Sequence, residues 1–435
     1  MSEWTSAPLE DLATITSGGT PSRVAEEFWN GDIPWVTPSD ITSCRTKFLH
    51  YTKEKITAKG LASSSATLLP RGSLLFTSRA TIGEIKIAVD PVATNQGFKS
   101  LSPKPDVDGL YLFFQVERLK NEFVRFGAGS TFLEINRKDT GRVEIPYPVD
   151  RSVQTKIANI LQTIDQAIEK TEALIKKYGL IKAGMMHDLF TRGLTPDGKQ
   201  RPPRHQAPEL YKKTPIGWIP KEWECEAIET VKNSLVDGPF GSNLKTKHYV
   251  VDPGVRVVRL QNIETGRYND LDRAFVSDRH ALLLHRNRVD GGDILIAGLG
   301  EERHPVARAC LYPRSLPAAI NKADCFRLRC DESKMINAFV VHFLNTAAAR
   351  KQVRRYEQGV TRPRINLGNM NRLLIPKPTL DEQNRIVEKM ASLVRTMELE
   401  SAKCEKLYHQ KSGLMQDLLT GKVPVKVDEP EAAHV

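Results

Sequence analysis

Cysteine is scarce and scattered in this sequence. The six cysteines among 435 residues form no Cys-x-x-Cys pair, the spacing that structural zinc sites and redox-active dithiols usually need. We therefore expect reduced, mostly buried thiols and no bound metal, as is usual for a cytoplasmic protein.

Long apolar runs are missing too. No stretch of about eighteen apolar residues occurs, which is the length that a membrane-spanning helix requires. The opening segment MSEWTSAPLEDL has no basic region followed by an apolar one, so it predicts no secretory signal. The expectation is a cytoplasmic protein with no membrane partner.

The motifs of common enzyme classes are absent as well. There is no Gly-x-x-x-x-Gly-Lys-Ser/Thr loop, no Asn/Asp-Pro-Pro-Tyr/Phe run and no His-x-x-x-His pair. Gly298-Leu299-Gly300 lacks the third glycine of a dinucleotide-binding loop. We nominate no catalytic residue and no cofactor for this chain, and an enzyme with an unfamiliar site remains one alternative.

What the sequence does contain is a long heptad pattern. From residue 151 to residue 191, apolar side chains recur every three or four positions without an interrupting proline. This spacing predicts one helix about 60 Å long with a single apolar stripe. Its seam residues are Ile157, Leu161, Ile164, Ile168, Ile175, Tyr178, Met185 and Leu189.

The same seam returns 229 residues later, because Ile157 corresponds to Ile386 and Leu189 to Leu418. A long striped helix needs a partner of similar length to cover it, and the repeat supplies one. We expect both seams to pack, and Lys182 and Lys411 to extend their amino groups outward from the stripe's edge. The second seam is Ile386, Met390, Leu393, Met397, Cys404, Leu407, Leu414 and Leu418.

The duplication extends upstream of both helices. Glutamine opens each helix, at Gln154 and at Gln383. Before it, six landmarks recur at an offset of 230, from Gly129 to Gly359 at one end and from Pro148 to Pro378 at the other. The remaining landmark pairs are Ile135 and Ile365, Asn136 and Asn366, Ile145 and Ile375, and Pro146 and Pro376.

The repeat divides the chain into two globular copies, since 435 residues exceed one ordinary core. Strand-like runs alternate with short amphipathic helices in each copy, which predicts a mixed α/β fold. The linker is rich in proline, glycine and charge, so we expect it to be extended and exposed. The predicted segments are a first domain (1–150), a helix (151–191), a linker (192–222), a second domain (223–380), a second helix (381–420) and a flexible tail (421–435).

The formal charge of +11 invites a nucleic-acid partner, and the excess is concentrated in the second copy. In the first copy the loop around Gly18-Gly19 either approaches a phosphate backbone or is an ordinary turn. The other polar residues are of types that read base edges, or they are solvated loop ends. The first-copy candidates are Thr20, Ser22, Arg23, Ser78, Arg79, Thr81, Asn95, Gln96 and Lys99.

The second copy offers a more basic set. Four of its arginines surround Gly359, and so many cations in one loop favour a contact with phosphates. The second-copy candidates are Ser242, Asn243, Lys245, Lys247, Arg303, Asn321, Lys322, Arg354, Arg355, Arg362 and Arg364.

The chain resembles the specificity subunits of type I restriction–modification systems. The resemblance rests on a domain that begins with tryptophan, the stretch GSTFLEINRKDTGRVEIPYP, a long helix that ends in MMHDLFTRGL, and the return of this whole pattern. One departure is that Arg362 and Arg364 stand where the first copy has Phe132 and Glu134. We therefore expect either that the two loops make different contacts or that only one of them touches DNA.

The resemblance implies an α/β (α+β) fold with two tandem target-recognition domains joined by two long antiparallel coiled-coil helices. Each domain would read one half of a split, asymmetric site in double-stranded DNA, and the helices would set the spacing and dock methyltransferase subunits. The implied partners are two methyltransferase subunits that use S-adenosylmethionine, and restriction subunits that use ATP and Mg²⁺. The chain itself would not be catalytic. The competing interpretation is a stand-alone DNA-binding regulatory protein without such partners.

Overall fold

The computed structural model of the chain describes residues 3–79, 81–127, 133–301 and 303–426, without the side chain of Ser242. Gly129, Phe132 and most of the predicted tail lie outside the described residues. Among those residues, no helix combines the length and the apolar character needed to cross a membrane.

The chain forms two compact units, and each long helix contributes to both. Unit 1 contains Met1–Ala173 and Ser401–Val435, and unit 2 contains Leu174–Glu400. The predicted segments follow the sequence repeat, whereas the compact units divide each long helix near its middle.

Unit 1 contains the first copy, which is built on a five-stranded sheet and a three-stranded sheet. The strands are β1 (Trp4–Pro8), β2 (Ala13–Ser17), β3 (Trp29–Val36), β4 (Phe48–Leu49), β5 (Glu54–Ile56), β6 (Leu74–Phe76), β7 (Ile85–Ala88), β8 (Ala93–Thr94), β9 (Lys99–Pro103) and β10 (Glu144–Pro148). The sheet orders are β2-β9-β6-β7-β4 and β5-β3-β8, and β1 pairs with β10.

The helices of the first copy are short, except for the one that leaves it. They are α1 (Leu9–Leu12), α2 (Pro38–Ser43), α3 (Ala58–Ala62), α4 (Gly109–Arg118), α5 (Lys120–Arg125), α6 (Arg137–Gly141) and the long α7 (Arg151–Thr191). Helix α4 places Leu112, Phe114 and Val116 in the core of the unit.

Unit 2 contains the second copy. Its strands are β11 (Tyr211–Thr214), β12 (Gly217–Pro220), β13 (Glu224–Ala227), β14 (Lys232–Val236), β15 (Tyr249–Val250), β16 (Val255–Val258), β17 (Phe275–Val276), β18 (Arg288–Val289), β19 (Ile294–Ala297), β20 (Ala309–Leu311), β21 (Ala319–Asn321), β22 (Cys325–Cys330) and β23 (Leu374–Lys377). Its helices are α8 (Ile228–Val231), α9 (Asp278–Leu283), α10 (Asn337–Leu344), α11 (Ala347–Tyr356), α12 (Leu367–Asn371) and the long α13 (Leu380–Leu418).

The two copies share one strand topology. Strand β3 runs parallel to β8 and antiparallel to β5, and β16 has the same relations to β21 and β17. In the larger sheets, β2-β9-β6-β7 corresponds to β14-β22-β19-β20. Both sheets are mixed or antiparallel with helices packed on them, so the fold is mixed α/β in each copy.

The glutamine that opens each long helix has the same structural role in both copies. The Gln154 side chain accepts a hydrogen bond from the Asp108 amide (2.8 Å) and donates to the Pro148 carbonyl (3.0 Å). Gln383 accepts from the Ile336 amide (2.8 Å) and donates to the Pro378 carbonyl (3.0 Å). Both glutamines are fully buried. A buried amide that satisfies backbone groups on two sides fixes the angle at which the helix leaves its domain.

The last turn of each long helix lies in the core of the unit that holds the other copy. Leu189 and Phe190 of α7 belong to the core of unit 2. Leu418, the last residue of α13, and Leu419, which follows it, occupy the repeat-equivalent positions and belong to the core of unit 1. All sixteen predicted seam residues are buried or half-buried.

The linker is ordered, contrary to the prediction that 192–222 is extended and exposed. Its residues Leu194, Arg201 and Ile219 are buried in unit 2. The physical reason is the buried carboxylate of Glu382, at the start of α13. It accepts hydrogen bonds from Arg201 (2.6 Å) and from the Leu194 amide (2.7 Å), and also from the indole N–H of Trp223 (3.0 Å).

We expect Glu382→Ala to destabilise unit 2 by about 3 kcal/mol, because it removes the buried carboxylate that pairs with the Arg201 guanidinium and leaves only the more exposed carboxylate of Glu222 to neutralise it. Urea unfolding measures this change, and hydrogen exchange at the Leu194 amide locates it. Glu388→Ala is the matched control, since Glu388 is an exposed carboxylate on the same helix. Equal stability of the two variants would contradict the role assigned to Glu382.

Candidate nucleic-acid interface

Arg23 lies in the loop before β3, and its guanidinium is already occupied. It donates a hydrogen bond to Glu54 (3.0 Å) and lies 3.9 Å from the ring centroid of Trp29. The hydrogen bond from Arg23 holds the pKa of the Glu54 carboxyl below its usual range. A DNA phosphate would therefore have to compete with Glu54 for this cation.

The loop that contains Gly18 and Gly19 is a close-packed turn. A Cβ added at Gly18 would lie 2.1 Å from the Asn95 carbonyl oxygen, and one added at Gly238 would lie 1.9 Å from the carbonyl carbon of Lys322. The Gly19 amide donates to the Thr94 carbonyl (2.9 Å). Close approach to a neighbouring strand explains these glycines without a phosphate.

The remaining loop residues of the first copy form small local networks. Thr20 donates to the side chain of Gln96 (2.5 Å), and both residues are exposed. The Asn95 side chain accepts from the Gly97 amide (2.9 Å), which shapes the loop after β8. Ser22 and Thr81 are exposed. Thr20, Gln96, Ser22 and Thr81 thus remain available to a ligand, whereas Asn95 stabilises its own turn.

Ser78, Arg79 and Lys99 lie together, and they surround a carboxylate that was not among the predicted site residues. Arg79 is 2.9 Å from a carboxylate oxygen of Glu134, and Lys99 is 3.7 Å from the other oxygen. Lys99 also donates to the hydroxyl of Ser78 (3.4 Å). Ser78 and Lys99 are buried, and burial lowers the pKa of Lys99. Because Ser78 and Lys99 are buried, neither side chain is placed to contact a base edge.

The structure corrects the prediction for Asn321. Its side chain is fully buried, and its amide donates to the carbonyls of Val236 (3.2 Å) and Cys325. The strand pairing also shows that Asn321 corresponds to Thr94, so Lys322 is the counterpart of Asn95.

Asn243, Lys245 and Lys247 lie on the exposed loop before β15. The Asn243 carbonyl is 2.8 Å from a ring nitrogen of His280, and the His280 and His248 rings stack with centroids 4.2 Å apart. These histidines and Asn243 line a cavity of about 860 Å³. The second copy therefore presents two exposed lysines on the loop that borders this cavity. Ser242, next to them, has no described side chain.

Lys322, Arg303 and Arg362 occupy different surroundings. The Lys322 amino group lies 5.8 Å from the ring centroid of Tyr249. Arg303 is exposed, and Arg362 is exposed at the mouth of a cavity of about 490 Å³. Arg308 forms the floor of that cavity and donates to the carbonyls of Ile263 (2.6 Å), Leu260 (2.9 Å) and Leu299 (3.1 Å).

Arg354 and Arg355 lie in the last turn of α11 and are exposed. Cations at that end of a helix are stabilised by the helix dipole, which accounts for part of this charge without a ligand. Arg364 is 2.7 Å from a carboxylate oxygen of Asp324. The four predicted arginines are thus not equivalent, because Arg364 has an acidic partner and Arg362 faces a cavity.

Asp237 is a partly buried carboxylate beside this ion pair, and the sequence did not single it out. Its carboxylate accepts hydrogen bonds from the amides of Gly238 (2.7 Å) and Asp324 (2.9 Å). The pKa of Asp237 is raised to about 6, chiefly by burial and also by the negative charge of Asp324, although the two amide hydrogen bonds and the charge of Arg364 lower it. The contacts of Asp237, Asp324 and Arg308 join residues tens of positions apart, so no local pattern marks them.

Comparison with known protein families shows which family the chain belongs to. The sequence model of the type I restriction modification DNA specificity domain matches residues 1–177 and 283–409, which is more than half of the chain. The chain belongs to this family.

Two relatives show how the specificity chain compares along its length. The type I restriction enzyme MjaIX specificity subunit of Methanocaldococcus jannaschii is 30% identical over 267 residues, which span 61% of this chain and 59% of that relative. The aligned segment therefore covers less than two thirds of that protein. The MjaVIII specificity subunit of the same organism is 24% identical over 439 residues, which span 98% and 94% of the two chains.

Solved structures agree with the fold of the specificity chain. The S subunit of a type I restriction–modification system from M. genitalium matches it with a TM-score of 0.57 over 96% of both chains. The sequence identity is 13%, so this likeness concerns the fold alone.

We expect Asp237→Asn to stabilise unit 2 at pH 8 but not below about pH 4. The pKa of Asp237 rises from 3.8 to about 6 on folding, so its buried negative charge destabilises the fold as the pH increases through that interval. Asparagine keeps the acceptor oxygen and never ionises. Urea unfolding between pH 4 and pH 8 measures the difference.

Glu332→Gln, which removes an exposed carboxylate in the same unit, is the control and should show no such pH dependence. A gain for Asp237→Asn that is the same at every pH would disprove the buried-charge explanation.

Proposed function

We propose that this specificity chain supplies DNA sequence recognition to a type I restriction–modification complex. Each copy reads one half of a bipartite, asymmetric site in double-stranded DNA. The observation that carries the proposal is the pairing of one shared framework with two different sets of exposed loop residues. Two copies with the same loops would favour a symmetric target. These two copies instead differ in the sign of the charge at an equivalent position, which is Glu134 in the first and Arg364 in the second.

The exposed residues of each copy suit this role. Lys245, Lys247 and Arg362 are cations that can neutralise phosphates, and Thr20 and Gln96 can donate to or accept from base edges. Phosphate contacts would position each domain, and the polar side chains would supply part of the sequence discrimination.

The chain acts without chemistry of its own in this proposal. Methylation and cleavage belong to partners, namely two methyltransferase subunits that use S-adenosylmethionine and restriction subunits that use ATP and Mg²⁺. One solved structure with a similar fold has been described in terms of the complex assembly and conformational transition of the type I restriction–modification system. That description supports the expectation that such a chain works within a larger assembly.

A methylome of the source cell, with and without this gene, tests the proposal. We expect adenine methylation to disappear at one split motif, with two short specified parts separated by unspecified bases, and to return when the gene is restored. An unchanged methylome, together with DNA binding by the purified chain, would support the stand-alone regulatory protein instead.

We also propose that α7 and α13 form an antiparallel coiled coil that sets the distance between the two half-sites. Within unit 1, Lys411 of α13 lies 3.0 Å from Asp165 of α7, and Tyr408 donates to Glu172 (2.6 Å). As the residue number increases along α7, its partner's number decreases along α13. This antiparallel order supports a stiff two-helix spacer.

Adding seven residues to each helix tests the spacer. Insertions between Ala173 and Leu174 and between Glu400 and Ser401 lengthen both helices by ~10 Å, since a helix rises ~1.5 Å per residue. At ~3.4 Å per base pair, the gap in the methylated motif should grow by about three base pairs. The same insertion between Pro215 and Ile216, in the turn of the linker hairpin, is the control. A motif with its original gap after helix lengthening would refute the spacer.

A further inference from the structure

The residues just before α6 in the first copy and just before α12 in the second attach to the same place in their domain cores. In the first copy Glu134 forms a β-bridge with Arg79, and the Ile135 amide donates to the Ser78 carbonyl (3.1 Å). In the second copy Arg364 forms a β-bridge with Leu299, and the Ile365 amide donates to the Gly298 carbonyl (2.9 Å). The backbone attachment is therefore duplicated along with the sequence.

The side chains at this attachment have opposite charges in the two copies. In the first copy the loop supplies the acid, Glu134, and the domain core supplies the bases, Arg79 and Lys99. In the second copy the loop supplies the base, Arg364, and the core supplies the acid, Asp324. Each loop is thus complementary to its own domain and would meet like charge in the other one.

In each copy one core residue of the attachment is largely buried, Lys99 in the first and Asp324 in the second, which argues that these contacts are built into the fold. The side chain of Asp324 is 14% exposed and that of Lys99 is 8% exposed, whereas Arg364 and Arg79 are about half exposed. A half-buried charge without its partner is costly, so the core residue favours the closed position of the loop. An arginine that neutralises such a partner is poorly placed to read a base at the same time.

The second loop also carries groups that face outward. Gln358 and Arg364 close it by two backbone hydrogen bonds (2.9 and 2.8 Å). Between them, Val360 is 99% exposed and Arg362 is exposed. The position of Arg362 therefore depends on how firmly the two ends of the loop are held.

We propose that Arg79–Glu134 and Asp324–Arg364 are charge-reversed latches that hold the recognition loops in position. Arg79 and Arg364 are then positioning residues, and Arg362 is left as the cation of the second loop that faces DNA. The inference rests on the proposed function only where it speaks of DNA. The latch itself is a property of the folded chain.

Substitutions in the second copy give the cleaner test. A charge swap in the first copy would place a guanidinium against the buried Lys99, whereas Asp324 and Arg364 can be changed separately. Arg364→Glu places a carboxylate next to Asp324 and Asp237, and the repulsion should detach the loop from the domain core. Arg364→Lys keeps the ion pair but loses the bidentate geometry with which arginine reads guanine. Asp324→Asn removes the charge of the core partner with little change in shape.

The first measurement is hydrogen exchange of the full chain without DNA. We expect the amides of Gln358, Arg364 and Ile365 to exchange roughly three- to tenfold faster in Arg364→Glu, and to be nearly unchanged in Arg364→Lys. Unchanged exchange in Arg364→Glu would overturn the latch, whether or not the chain recognises DNA.

The second measurement is the methylome of cells that carry each variant. We expect Arg364→Glu and Asp324→Asn to relax one half of the motif and leave the other half intact, while Arg364→Lys keeps both halves. If Arg364 reads a base directly, Arg364→Lys should fail as badly as Arg364→Glu, and Asp324→Asn should recognise the site as well as the original chain or better. That pattern would reject the latch.

Absence of methylation with the unaltered chain would count against the proposed function. The hydrogen-exchange experiment would still decide whether the latch exists.

Discussion

The structure depends on the burial of the last turn of each long helix in the core that belongs to the other copy. Leu189 and Phe190 complete the core of unit 2, and Leu418 and Leu419 complete that of unit 1. Neither copy of the repeat is therefore a complete globular unit without a segment of the other.

Two buried polar residues make this arrangement specific. Gln154 and Gln383 satisfy backbone groups on two sides at the start of α7 and α13, so each helix begins at one angle. Glu382 adds a second anchor in unit 2 and fastens the linker to the same helix start through Arg201 and Trp223. The linker consequently contributes to the fold of the second unit. Domains that must read two separated sites need such fixed exits, because a loose joint would allow many distances between them.

The recognition loops of the two copies share the same backbone attachment but carry different side chains. The bridge between Arg79 and Glu134 and the bridge between Leu299 and Arg364 use equivalent backbone positions, yet the charges are reversed. A framework that holds its loops by backbone pairing allows the exposed residues to diverge without loss of the fold. This is the property expected of a protein whose partners stay the same while its target sequence changes.

The sequence by itself determined the duplication, the two long helices and the mixed α/β class of each copy. These features are local or periodic, so they can be seen in the order of residues alone. Only the tertiary structure decided that Asn321 is buried, that Arg364 faces Asp324 and that Arg201 of the linker reaches Glu382. The two ion pairs join residues that are at least 40 positions apart, and the burial of Asn321 depends on which side of a short strand turns inward. The sequence specifies the charge of each side chain, but the tertiary fold determines which partner neutralises that charge.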